Sequence, residues 1–132
     1  DGVLFVYGYG DVVQALDGAT GDLLWQYARR LPKDTYPGYR KSIAIFGDKV
    51  FVATADVHMV ALDVKTGDVK WDTALVPSGS PTGFTGYRMS GGPLVAKGKV
   101  RLDYRPVHTV PLTPEAEGGI ALKRIAPKAR VY

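Results

Sequence analysis

A chain of 132 residues, 45% hydrophobic and 23% charged, has an ordinary globular composition, enough for one modest core. It contains no cysteine, which excludes disulfides and thiolate metal sites, and no apolar run approaches the roughly 18 residues of a membrane span. The net charge of +4 is uneven: residues 1–100 carry 11 Lys and Arg against 10 Asp, while residues 101–132 carry 6 basic residues against 3 acidic ones. The body's cations are scattered and its aromatics fit strand positions, so nucleic-acid binding is not expected.

In chain order, Asp1-Gly2-Val3-Leu4 enters almost directly into a strand without a charged-apolar-small signal pattern, the start expected of an interior piece of something longer or of a processed terminus. The runs Leu4–Tyr7 and Val12–Ala15 flank a hairpin turn at Gly8-Tyr9-Gly10-Asp11. That Gly-x-Gly is a turn signal rather than a phosphate loop, since no helix signal follows it. Next comes Ala15-Leu16-Asp17-Gly18-Ala19-Thr20-Gly21-Asp22-Leu23-Leu24-Trp25, and it recurs as Ala61-Leu62-Asp63-Val64-Lys65-Thr66-Gly67-Asp68-Val69-Lys70-Trp71. Ala, Leu, Asp, Thr, Gly, Asp and Trp are matched 46 residues apart. Upstream, Val3–Val6 aligns without a gap on Lys49–Val52. A period of this length lies at or just beyond the roughly 40–50 residues of a four-stranded propeller blade.

The shared turn has a mechanism. Asp17 or Asp63 accepts backbone N–H groups two or three residues ahead, and Gly21 or Gly67 supplies a left-handed position at no steric cost. Trp25 and Trp71 then stand where a flat ring can wedge between neighbouring sheets while its N–H reaches a backbone carbonyl. Ala28–Lys41 and Pro77–Tyr87 read as long polar, Pro- and Gly-bearing surface connections. Between them Ser42–Phe46 and Lys49–Ala53 read as strands around a Gly47-Asp48 turn, and Pro93–Val100 reads as the opening strand of a third unit. His58 and His108 lie 50 residues apart and are not expected to share a metal site or a catalytic dyad.

The pattern Ala-x-Asp-x-x-x-Gly-x-x-x-Trp resembles the tryptophan-docking motif of the quinoprotein alcohol and methanol dehydrogenases, β-propeller enzymes that use pyrroloquinoline quinone. Ala15, Asp17, Gly21 and Trp25 carry the first match, and Ala61, Asp63, Gly67 and Trp71 the second. The likeness extends through Tyr39–Ala44, Asp48–Thr54 and Ser90–Val100 and covers residues 1–100. Single motifs of this kind also occur in outer-membrane assembly propellers. The resemblance implies an all-β fold of about two four-stranded antiparallel blades, a fragment of an eight-bladed type of propeller, followed by an irregular C-terminal tail.

The same resemblance implies pyrroloquinoline quinone with calcium or a lanthanide as cofactors, and a periplasmic location. Arg40 matches the Arg that contacts the quinone, where a guanidinium can polarise quinone oxygens. Ser90 matches a hydroxyl residue that hydrogen-bonds it. The family's metal ligands and its Asp base have no counterpart here, so no catalytic or metal residue is assigned. The functional expectation is a fragment or assembling part of a quinone-dependent alcohol oxidoreductase. A non-catalytic repeat scaffold stabilised by self-association is the alternative. Two blades alone expose wide apolar faces, so the expected partners are further copies or missing blades.

Residues 101–132 break the repeat. They hold both glutamates, four of the nine prolines and no Trp, and they read as a separate, irregular basic tail of different origin, the short helical pattern at Glu115–Ile125 being broken by Gly118-Gly119 and stopped by Pro127.

Overall fold

The computed structural model describes residues 2–33, 35, 42–82, 86–89, 91–106 and 128–131, with backbone only from Arg101 onward. The Glu115–Ile125 segment of the tail lies outside these residues. All described elements are strands: β1 (Val3–Gly8), β2 (Val12–Asp17), β3 (Leu23–Ala28), β4 (Ala44–Phe46), β5 (Lys49–Ala53), β6 (His58–Asp63), β7 (Val69–Ala74), β8 (Tyr87–Met89), β9 (Leu94–Ala96), β10 (Lys99–Pro106) and β11 (Lys128–Val131).

They form three antiparallel sheets. The first has the order β1-β2-β3 and the second β4-β5-β6-β7. In the third, β10 pairs with β11, with β8 and with β9. The 46-residue repeat is structural, because β5, β6 and β7 occupy the places of β1, β2 and β3 with the same pairing and the same bulge. Ala15 faces Trp25 and Ala61 faces Trp71, each just before a register shift. Among the described residues the first sheet has three strands and no counterpart of β4.

The middle sheet is buried on both sides, which is why Val50–Ala53 and Met59–Leu62 are unbroken apolar runs rather than alternating ones. Val50, Val52, Val60 and Leu62 pack towards the first sheet with Val13, Ala15 and Trp25. Phe51, Ala53, Val57, Met59 and Ala61 pack towards the third sheet with Leu75, Met89 and Val100. Burying each Val, Leu, Phe or Met side chain here contributes about 1.5–3 kcal/mol.

Two features differ from the expectation. Pro93–Val100 is a hairpin and not one strand. Lys97 and Gly98 both take positive φ (52° and 69°), which closes a two-residue turn between β9 and β10. Strand β10 also runs through position 101, since Arg101-Leu102-Asp103-Tyr104 alternates polar and apolar residues as a strand requires, and Lys128–Val131 pairs with it. The third sheet thus draws on residues from both sides of the expected boundary at residue 100.

Candidate functional site

Three places concentrate chemistry. At one end of the sheets stand the two motif turns. Asp63 Oδ1 accepts the N–H groups of Lys65 (2.8 Å) and Thr66 (3.1 Å), and the Gly67 N–H closes on the Asp63 carbonyl at 2.9 Å. Asp17 repeats this with Ala19 (2.8 Å), Thr20 (2.9 Å) and Gly21 (2.8 Å). Trp25 of the first sheet lies on the second sheet's turn. Its Nε1 donates to the Val64 carbonyl at 3.1 Å, and a Cβ on Gly67 would stand 2.5 Å from Trp25 Cε3. Phe5 packs on Trp25 and Phe51 on Trp71, each with ring centroids 5.8 Å apart. Ala15 and Ala61, both fully buried, leave room opposite the indoles.

Gly21 and Gly67 share a φ near 78°, yet nothing approaches a Cβ built on Gly21. Gly21→Ala is therefore expected to cost only backbone strain, about 1 kcal/mol, while Gly67→Ala must also displace Trp25 and cost about 3 kcal/mol or more. Urea denaturation of the two variants checks the difference; equal losses would contradict the contact.

At the opposite end lies a polar seam between the first and second sheets. The Tyr7 hydroxyl bonds Asp11, 3% exposed, and also the Ala53 carbonyl at 2.9 Å. Asp11 Oδ2 accepts the Ala55 N–H at 2.5 Å. Burial, then the hydrogen bond and charge of Asp11, push the Tyr7 phenol well above its ordinary range. Beside this pair, Arg29 forks onto Asp56, with Nε and Nη2 each 2.8 Å from a carboxylate oxygen. Its Nη1 reaches Asp72 at 2.8 Å and the Tyr27 hydroxyl at 3.3 Å. Thr54 Oγ1 donates to Asp56 at 2.6 Å, and His58 Nδ1 meets Asp72 at 2.7 Å.

Burial opposes the charge on Asp56 and on Asp72, but hydrogen bonds from Arg29, joined by Thr54 at the former and His58 at the latter, outweigh it and hold both carboxyls low. Asp63 is held down to about 2 by Lys70, 3.0 Å away, and by the backbone N–H of Lys65. Depressed folded values mean stabilisation that is complete above the unfolded carboxylate value of about 3.9 and lost as pH falls through the folded ones. Tm is expected to fall between about pH 4 and pH 2, and Arg29→Leu should flatten that slope by removing the share of Asp56 and Asp72. An unchanged slope in thermal melts would contradict this.

The third place is where β4 and β9 begin. A Cβ on Gly92 would collide with Ser42 Oγ and its carbonyl, so the absence of a side chain lets the two strand ends close up. Arg40 and Ser90, the residues assigned to the quinone, stand two positions before Ser42 and Gly92 in sequence and lie outside the described residues. His108 also lies outside them. Among the described residues no group of three His, Asp or Glu could hold a metal ion.

The family model for the outer membrane protein assembly factor BamB matches residues 1–102. The chain belongs to this propeller-repeat family. It is 40% identical over 109 residues to the quinoprotein ethanol dehydrogenase of Pseudomonas aeruginosa, covering 77% of this chain and 17% of that protein. Identity is also 40% over 100 residues to the 1-butanol dehydrogenase (quinone) of Thauera butanivorans, covering 74% of this chain and 15% of that one. In structure it is similar to the quinohemoprotein alcohol dehydrogenase of Comamonas testosteroni, with TM-score 0.64 and 28% identity over 79% of this chain and 16% of that one. The likeness to quinoprotein dehydrogenase propellers drawn from the two motifs is borne out, as is the all-β class. The chain spans about one sixth of the length of these curated relatives.

Proposed function

We propose that the chain serves as part of a pyrroloquinoline-quinone-dependent alcohol oxidoreductase acting in the periplasm. The identity to quinoprotein alcohol dehydrogenases across both repeats carries this reading. When bound, the quinone supplies a two-electron acceptor for an alcohol's hydride. By the resemblance, Arg40 would supply a cation for quinone or carboxylate oxygens and Ser90 a hydroxyl donor. No step through calcium or a lanthanide is assigned to the described residues.

The test is a segment exchange in which residues 1–100 replace their counterpart in the Pseudomonas aeruginosa ethanol dehydrogenase. Arg40→Ala in that hybrid is expected to weaken quinone retention at least about tenfold, the equivalent of one charge-assisted contact, and Ser90→Ala to weaken it less. Equilibrium dialysis reads both. A folded hybrid whose quinone affinity ignores Arg40 would remove the assignment.

A further inference from the structure

The chain leaves the first and second sheets from matched positions, Arg29 and Leu75, one repeat period apart. Each donates its backbone N–H to a residue held at positive φ, Arg29 to the Asp11 carbonyl and Leu75 to the Val57 carbonyl. The main-chain exit is therefore built the same way in both repeats, although the tie is longer at Arg29, 3.3 Å against 3.0 Å at Leu75. The side chains differ more. Leu75 is fully buried and ends in the apolar core between the second and third sheets. Arg29 crosses to the second sheet, where Asp56 takes its Nε and Nη2 and Asp72 its Nη1, all at 2.8 Å.

Both acceptors are fixed by second-sheet side chains of their own. Thr54 Oγ1 holds Asp56 at 2.6 Å, and His58 Nδ1 holds Asp72 at 2.7 Å. A planar guanidinium bound through three nitrogens has its position and its plane defined, which a single ammonium contact does not achieve. Past Arg29 the connection stays against the body of the protein: Thr35 is 9% exposed, and its N–H bonds the Pro32 carbonyl at 3.0 Å. The far end is fixed as well, since Ser42 packs against Gly92.

Arg40, the residue assigned to the quinone, lies in sequence between these two ties. We propose that Arg29 is a positioning residue for quinone binding: its fork on Asp56 and Asp72 sets where the first connection starts on the second sheet, and so where Arg40 is held. The inference rests on the quinone reading of Arg40 and adds a residue that acts through Arg40 rather than by contact. Leu75 gives the second connection, which leads to Ser90, an apolar root instead.

Two measurements test it. In the full chain, Arg29→Lys keeps the charge and loses the fork, so amide hydrogen exchange should quicken at least about tenfold over residues 30–41 and stay unchanged over residues 75–87. In the segment-exchange hybrid, equilibrium dialysis should show Arg29→Lys weakening quinone retention at least about threefold with Arg40 present. It should add nothing to the loss in Arg40→Ala, because the two act through one contact. Asp72→Asn, at the more exposed end of the fork, should act in the same direction to a smaller extent, and it carries the test where Arg29→Lys does not fold. Exchange that rises evenly along the chain, or an Arg29→Lys loss undiminished in the Arg40→Ala background, would overturn the inference and leave Arg29 a structural tie. Retention lowered by Arg40→Ala but not by Arg29→Lys would overturn it alone, whereas retention indifferent to Arg40→Ala would remove the quinone assignment and this inference with it.

Discussion

Trp25→Ala is expected to cost about 3–5 kcal/mol, the upper range for removing a buried aromatic. The ring is 8% exposed, and three contacts are lost together: the hydrogen bond to the Val64 carbonyl, the tilted packing on Phe5 and the cover over Gly67. No neighbour can close the gap, because Gly67 has no side chain to offer and its backbone is pinned to Asp63. Trp71→Ala should cost less. Trp71 is only partly buried and has no hydrogen-bond partner among the described residues, although it holds the same place in the repeat. Denaturant unfolding of the two variants reads the difference, and similar losses would show that the sequence motif, rather than the docked position, sets the energy.

The second large effect is expected at Arg29, whose side chain is 10% exposed against 11% for Asp56. Arg29→Leu leaves Asp56 nearly buried without its counter-charge, which typically costs about 3–5 kcal/mol. Removing the carboxylate as well should return part of the loss, so Arg29→Leu/Asp56→Ala is expected to be more stable than Arg29→Leu alone. The double-mutant cycle in urea decides it. A double variant no better than the single one would mean that the fork holds the sheets by shape rather than by charge.

These two cases show what the sequence made legible. The motif turns were readable because Asp, Thr and Gly act locally: each hydrogen bond spans two or three residues, so spacing alone implies it. The 46-residue period was readable because β5, β6 and β7 of the second sheet repeat β1, β2 and β3 of the first. The polar seam was harder to see, since Arg29 meets Asp56 and Asp72 across 27 and 43 residues. A signal existed all the same. Tyr7, Asp11 and Arg29 stand where the second repeat has Ala53, Val57 and Leu75, and those three are buried in the apolar core between the second and third sheets. Departures of a repeat from itself marked an interface built from charge. Val57 also keeps the left-handed backbone of Asp11 (φ 62° and 57°), a conformation costly for a β-branched residue. Full burial and the Thr54 and Leu75 backbone bonds hold it there.

The hairpin at Lys97-Gly98 was missed because a Lys in left-handed backbone carries no propensity signal. The alternation that carries β10 past residue 100 was obscured by a change in composition at the same point. Arg40 and Ser90 rest on the resemblance alone.

The central claim is that residues 1–100 are a working part of a quinone-dependent alcohol dehydrogenase, and the measurement that tests it most directly is dye-linked ethanol oxidation by the segment-exchange hybrid. The account predicts turnover that requires added pyrroloquinoline quinone and persists with this segment in place. A hybrid that folds and retains quinone yet oxidises no alcohol would contradict it.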